Sequence, residues 1–150
     1  MIESIKLFRQ IDEGGKKAIE GLLQLKEFRT GQVIYNEGDP GGSLNFVVKG
    51  KVRVCKITKE GKPFCIASLG EGDIFGVMSF LDGSRHDATI QADALTVLVT
   101  LSREDFDSLL STNTLLAAMV LKDLAMHLAS IVRTMNVQYM DLMQYMFQKS

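Results

Sequence analysis

The sequence predicts a mainly β fold with flanking helices: a jelly roll, or double-stranded β-helix, of about eight strands, with N-terminal helices before it and one long C-terminal helix after it. Three observations carry this. Short apolar runs separated by turn residues recur from Phe28 to Leu101, the spacing of an all-β sandwich or barrel. All 13 glycines and both prolines fall between Gly14 and Gly83, where tight turns need them. Six of the eight methionines lie beyond position 118, in a stretch without Gly or Pro.

Residues 1–24 read as helical, with Ile5, Phe8 and Ile11 in one segment and Ile19, Leu22 and Leu23 in a second, separated by Gly14-Gly15. From Phe28 the period changes, and the β-roll is assigned to residues 25–101. Its apolar runs are Val33-Ile34-Tyr35, 44–55, 64–69, Ile74-Phe75 and 88–101. Between them lie Glu37-Gly38-Asp39-Pro40-Gly41-Gly42, Lys49-Gly50, Lys59-Glu60-Gly61-Lys62, Gly70-Glu71-Gly72-Asp73 and Asp82-Gly83-Ser84, each with a residue that tolerates positive φ or starts a turn. Wrapping two sheets over one core blunts the exposed edges. At Glu60-Gly61 two registers stay open: a two-residue turn pairing Lys59 with Lys62 sends Cys55 and Cys65 to opposite faces, whereas a three-residue loop pairing Thr58 with Lys62 sets them directly opposite. The two cysteines are expected as reduced thiols packed like small hydrophobes.

Residues 102–150 form the C-terminal helices. Ser102-Arg103-Glu104-Asp105 is a capping-box-like start, with Phe106, Leu109 and Leu110 as a buried face. A second cap in Ser111-Thr112-Asn113-Thr114 opens a helix running nearly to the end. Along it Leu121, Leu124, Leu128, Ile131, Met135, Gln138, Leu142 and Tyr145 step alternately by 3 and 4, a heptad seam. Leu116, Val120 and Leu124 are expected to pack on the barrel. The rest has little monomer to cover it, so a homodimer across a two-fold axis is the expected partner arrangement.

Composition narrows the function. The 150 residues are 46% hydrophobic and 23% charged, one ordinary folded domain over 1–150. With 17 basic against 18 acidic side chains there is no net field to draw a phosphate backbone. The longest uninterrupted apolar run, 115–121, is short of the ~20 residues of a membrane span, and the N-terminus has no secretory-signal pattern. The expectation is a cytoplasmic protein without a membrane partner. Enzymatic activity is not expected: two histidines, His86 and His127, lie 41 positions apart, and no Ser–His–acid, paired-carboxylate or metal-ligand spacing stands out. His127 is expected at the surface or an interface.

The stretch 70–90 is the most informative. It reads as a strand end, a tight glycine at Gly76, a short helical turn, a loop with the basic pair Arg85-His86, and another strand. Free backbone N–H groups at such a turn, with a cation returning opposite, suit a single phosphate. Here the chain resembles the cyclic-nucleotide-binding domain family, of the catabolite-activator and kinase-regulatory-subunit type. The resemblance runs from Leu7-Phe8 through Thr30-Gly31-Gln32-Val33-Ile34-Tyr35-Asn36-Glu37-Gly38-Asp39, then Asn45-Phe46-Val47-Val48-Lys49-Gly50-Lys51-Val52-Arg53-Val54, to Gly72-Asp73-Ile74-Phe75-Gly76. It implies a β-roll followed by two helices, the second serving as lid and dimer helix.

The resemblance also implies a ligand site at Phe75, Gly76, Val77, Met78, Ser79, Arg85, His86, Asp87 and Ala88, with Ile131 and Val132 facing the base. Its ligand would be cyclic AMP or cyclic GMP. The family's cassette has a Glu for the ribose and an Arg for the cyclic phosphate; without a gap these positions hold Val77 and His86. Arg85 stands one place early, and Asp87 puts a carboxylate where an anion would approach. Val77, Met78 and Phe80 should make the pocket more apolar than is usual. The expected function is a regulatory sensor domain that binds a small ligand between roll and long helix and signals through helix-mediated dimerisation to a further protein, without direct DNA binding, as no helix-turn-helix pattern follows. The alternatives are a ligand-free dimeric adaptor with a vestigial pocket, and a haem or redox sensor through His86.

Overall fold

The computed structural model describes residues 5–148; residues 1–4 of the expected N-terminal helical segment lie outside them. A 3-10 turn at Lys6–Phe8 leads into α1 (Glu13–Glu20). Eight strands follow: β1 (Gln24–Phe28), β2 (Val33–Tyr35), β3 (Ser43–Lys49), β4 (Val52–Ile57), β5 (Pro63–Leu69), β6 (Ile74–Phe75), β7 (Thr89–Ala92) and β8 (Thr96–Ser102). The short helix α2 (Val77–Asp82) interrupts them, and α3 (Arg103–Thr112) and α4 (Thr114–Gln148) close the chain. The strands form two four-stranded sheets, β1-β8-β3-β6 and β2-β7-β4-β5, and every pairing is antiparallel. Because the chain crosses repeatedly between the sheets, they wrap one interior, which is the jelly roll the turn spacing predicts.

Strand β3 shows how this organises the core. Leu44, Asn45, Phe46 and Val47 are buried in succession, so both faces of the strand are covered. Leu44 and Phe46 join Phe8, Ile19, Phe106, Val120 and Leu124 in a cluster between sheet and helices. Val47 points the other way, into the roll, with Val52, Phe75, Ile90 and Leu98. Strand β8 repeats the pattern: Val99 and Leu101 face the helices and Leu98 the roll.

Several expectations change at this level. Gly14-Gly15 does not separate two helices; it is the first turn of α1, capped by Asp12, whose Oδ1 accepts from Gly15 N at 2.7 Å. A Cβ on Gly15 would lie 2.5 Å from Ile11 and 3.1 Å from both Asp12 Oδ1 and Leu116, so the glycine lets the first turn pack closely on Ile11, its cap and α4. Strand β1 begins at Gln24, before the period change at Phe28. Its residues Gln24 to Glu27 are exposed, so it lacks the alternation that marks a half-buried strand. Leu110 is exposed, whereas Phe106 and Leu109 are buried. Ser102 caps α3 through Asp105 N at 3.1 Å and Asn113 opens α4 through Leu116 N at 3.3 Å, both as the polar breaks indicate.

The cysteines are not reduced thiols: Cys55 and Cys65 form a disulfide. The three-residue loop holds, with Thr58 N donating to Lys62 O at 2.8 Å, and it pairs Cys55 with Cys65 across β4 and β5. Directly opposed Cβ atoms bring the sulfurs within bonding reach.

Helix α4 spans 35 residues. Its most apolar stretch has a mean hydropathy of 1.8, so by length and composition it is long enough to cross a membrane. Counting uninterrupted apolar residues misses this, because Lys122, Asp123 and His127 punctuate the helix. In the fold Leu116, Ala117, Val120 and Leu124 pack on the roll, and nearly every residue from Ala129 onward is exposed.

The disulfide closes a short loop, which should stabilise the fold by about 2–3 kcal/mol through the unfolded state. Cys65→Ser should lower the urea-unfolding free energy by that amount, and thiol titration of the denatured wild-type chain should find no free sulfhydryl.

Candidate functional site

The site begins with Gly76, at φ 81°, which ends β6 and opens α2. A Cβ there would come within 2.8 Å of Ser43 O and 2.9 Å of Asn45 Nδ2. Buried Asn45 donates through Nδ2 to Ser43 O at 3.1 Å and to Phe75 O at 3.4 Å, fixing the end of β6 against β3. Gly83, at φ 74°, closes α2 and sends the chain back. The turn buries Val77, Ser79 and Phe80.

The returning loop, residues 84–88, is zipped to residues 37–40. Gly38 N donates to His86 O at 2.9 Å and His86 N to Asp39 O at 3.0 Å, and Pro40 and Arg85 form an antiparallel bridge. Residues 37–40 are themselves held from behind. Glu37 N donates to Thr89 Oγ1 at 2.9 Å, and the Glu37 carboxylate accepts from Ile57 N at 3.2 Å and meets Lys56 Nζ at 3.6 Å.

This pairing decides where the side chains go. His86 turns inward and stacks flat on Tyr35, with ring centroids 3.4 Å apart and planes at 6°. Tyr35 also packs on Phe75 at 5.9 Å. The His86 Nδ1 lies 3.4 Å from Ser79 Oγ. Arg85 goes outward, its Nη1 donating to Gly38 O at 2.9 Å. The shifted arginine is thus tied to the backbone at the rim. Asp87 is exposed at the same rim, and no ion pair among the described residues neutralises it.

Burial sets the protonation of the stacked pair. Desolvation holds the His86 imidazolium pKa below its ordinary value, with the Asp39 and Asp87 carboxylates partly opposing. Burial raises the Tyr35 phenol, and the Asp87 carboxylate raises it further. At neutral pH the stack is two uncharged rings.

These parts border a half-open cavity of about 460 Å³ between the β-roll and α4. It brings together Phe75, Gly76, Val77, Met78, Ser79, Arg85, His86, Asp87, Ala88, Ile131 and Val132, the residues singled out from the sequence. Phe80 is not among them; it packs on Phe106 at 5.3 Å in the helix-side core. His127, expected at the surface or an interface, lines the cavity with Leu128 and Met135 from α4. Tyr35, Val54, Ile74 and Ile90 were also missed as lining residues. Tyr35 stood within the matched motif, but only the fold shows it beneath the cassette loop.

Along the seam, Leu121 and Leu128 are half-buried against the chain's own core and Leu124 is inside it at 1% exposure. Ile131, Met135, Gln138, Leu142 and Tyr145 are exposed. The seam therefore divides: its first part is core, its second part surface.

Comparison with protein families matches residues 25–113 to the family described as cyclic nucleotide-binding domain. The cyclic AMP receptor protein of Thermus thermophilus is 34% identical over 123 residues, which is 82% of this chain and 55% of that protein. A cyclic nucleotide-binding domain from Methylobacillus flagellatus superposes with a TM-score of 0.79 at 29% identity, covering 89% of this chain and 75% of that one. The regulatory subunit of a cAMP-independent protein kinase A from Trypanosoma brucei superposes with a TM-score of 0.68 at 25% identity, over 83% of this chain and 44% of that one. The chain spans 55% of the Thermus thermophilus protein and 10% of a cGMP-dependent protein kinase of Toxoplasma gondii.

Gly76→Ala should cost about 1–3 kcal/mol, since a Cβ is forced into the left-handed region beside Ser43 O and Asn45; chemical denaturation reads this directly. For His86, the depressed native pKa means that below its usual 6.5 the unfolded chain takes up a proton the native state resists. This contribution is complete above that value and declines as pH falls. His86→Asn should flatten the loss of stability between about pH 7 and pH 5, measured by urea unfolding at each pH.

Proposed function

Because this chain belongs to the cyclic nucleotide-binding domain family, we propose that it is a regulatory sensor domain that binds a small ligand between β-roll and α4 and passes the signal through an α4-mediated homodimer to a protein partner. One observation carries the reading. The cavity has two walls from different parts of the fold: the cassette and roll on one side, and His127, Leu128, Ile131, Val132 and Met135 of α4 on the other. Anything seated there touches both, and its differential contact with two α4 packings shifts the balance between them.

Along one face of the same helix, Ile131, Met135 and Leu142 are exposed apolar residues at spacings of four and seven. A contiguous apolar helix face of this kind is covered in solution, and pairing with a second copy places like on like across a two-fold axis. Methionine supplies a deformable contact surface, which suits an interface that repacks.

Cyclic AMP and cyclic GMP are the first ligands to test. Against them stand Val77, His86 and Asp87 at the cassette and the outward Arg85; the Trypanosoma brucei relative, described as cAMP-independent, is consistent with the fold being kept without that ligand. A ligand at about 100 times its Kd should stabilise the domain by about 2.7 kcal/mol, a plain thermal shift. No shift with either nucleotide at millimolar concentration removes both as ligands. For the dimer, light scattering at tens of micromolar should give twice the chain mass, and Met135→Asp combined with Leu142→Asp should give a monomer of unchanged circular dichroism. A monomeric wild-type chain refutes the interface.

A further inference from the structure

We infer that the cavity between β-roll and α4 selects a compact, largely apolar molecule without negative charge, and discriminates against anions at its rim, where Asp87 stands. The inference rests on the proposed ligand-binding role of this cavity and names the chemical class it takes.

The argument is one of charge and place. Three side chains lining the cavity can carry positive charge: Arg85, His86 and His127. The Arg85 guanidinium is committed at the rim to Gly38 O, and its backbone is held by the bridge to Pro40. Turning it inward would break that hydrogen bond. The His86 ring is stacked on Tyr35 with Nδ1 near Ser79 Oγ, and its burial favours the neutral ring. His127 stands on the α4 wall among Leu128, Ile131 and Val132. The carboxylate of Asp87 stands exposed at the rim, on the cassette loop. An anion entering here would lose its hydration without a fixed counter-charge and would meet a like charge.

The remaining surface tells what is welcome. Phe75, Val77, Ile90, Ile131, Val132 and Met135 give the cavity apolar walls, and the side chains without a fixed charge that can hydrogen-bond are few: Ser79, Tyr35, His86 and His127. A few convergent hydrogen-bonding groups in an apolar cavity fix the orientation of a small neutral ligand.

A matched pair of fluorescent probes tests this. N-phenyl-1-naphthylamine and 1-anilinonaphthalene-8-sulfonate share one ring skeleton and differ by the sulfonate. Both are titrated into the whole chain at pH 8, above the histidine range, and into a Val132→Trp variant that fills the cavity from α4. Only binding lost in that variant is counted. The uncharged probe should bind at least tenfold more tightly. Since the sulfonate also lowers the probe's affinity for any apolar surface, the decisive reading is the change in ratio on substitution. Asp87→Asn should shift it severalfold toward the sulfonate, and His86→Arg with Asp87→Ala at least tenfold. An unchanged ratio in both, or a wild-type preference for the sulfonate, overturns the inference while leaving the cavity as a ligand site. If neither probe shows binding that Val132→Trp removes, the ligand-binding role itself fails, and this inference with it.

Discussion

Two backbone hydrogen bonds, Gly38 N to His86 O and His86 N to Asp39 O, fix which side of the cassette loop faces the interior, and the chemistry of the site follows from them. Once those residues pair, adjacent side chains alternate between inside and outside as in any antiparallel ladder. The imidazole therefore goes in and onto Tyr35, and the guanidinium goes out to Gly38 O. A one-residue difference in where an arginine stands along the chain becomes a difference between a cavity with a fixed cation and one without. The pairing is stiff because residues 37–40 are anchored from the far side by Thr89, Ile57 and Lys56.

Helix α4 meets three environments in sequence. Its first turns are core, where Leu116, Val120 and Leu124 share a cluster with Phe8, Phe46 and Phe106. Its middle is wall, from His127 to Met135. Its last part is exposed. Full burial of side chains the size of Leu and Val is worth about 1.5–3 kcal/mol each, so the first part is fixed by the same free energy that holds the domain together. No comparable burial holds the later part within a single chain. The helix is thus anchored at one end and open to influence along the rest.

How far this was legible in the sequence depends on whether a residue's role was local. Turns were: glycines at Gly38, Gly50, Gly61, Gly72, Gly76 and Gly83 all take positive φ, and the strands between them fall where the apolar runs lie. The helix caps at Ser102 and Asn113 were local too. Strand β1 was obscured because an exposed edge has no inward face to give alternation. Gly14-Gly15 read as a break because two glycines weaken a helix, whereas here they sit in a capped first turn where Gly15 packs on Ile11 and Leu116. The cysteines were read as reduced from the expected compartment, and the loop length that sets them opposite each other stayed open, so the disulfide was missed. Most cavity residues were gathered by resemblance. Tyr35, His127 and Met135 were not, since each arrives from an element that meets the cassette only after folding, and Phe80 was misplaced because a six-residue helix has one face on the core and the other on the cavity.

The fixed point of α4 at Leu124 also sets a ratio of lengths. At a rise of ~1.5 Å per residue, Val132 stands roughly 12 Å beyond that point and Gln148 roughly 36 Å beyond it. A rigid rod pivoting there moves three times as far at its tip as at the cavity. A displacement of about 1 Å forced on Val132 by whatever fills the cavity arrives at the end of the helix as about 3 Å, more than half the spacing between successive turns. In a 35-residue helix pivoting at that point, the short arm would border the cavity and the long arm would have the travel to exchange one side-chain contact for the next.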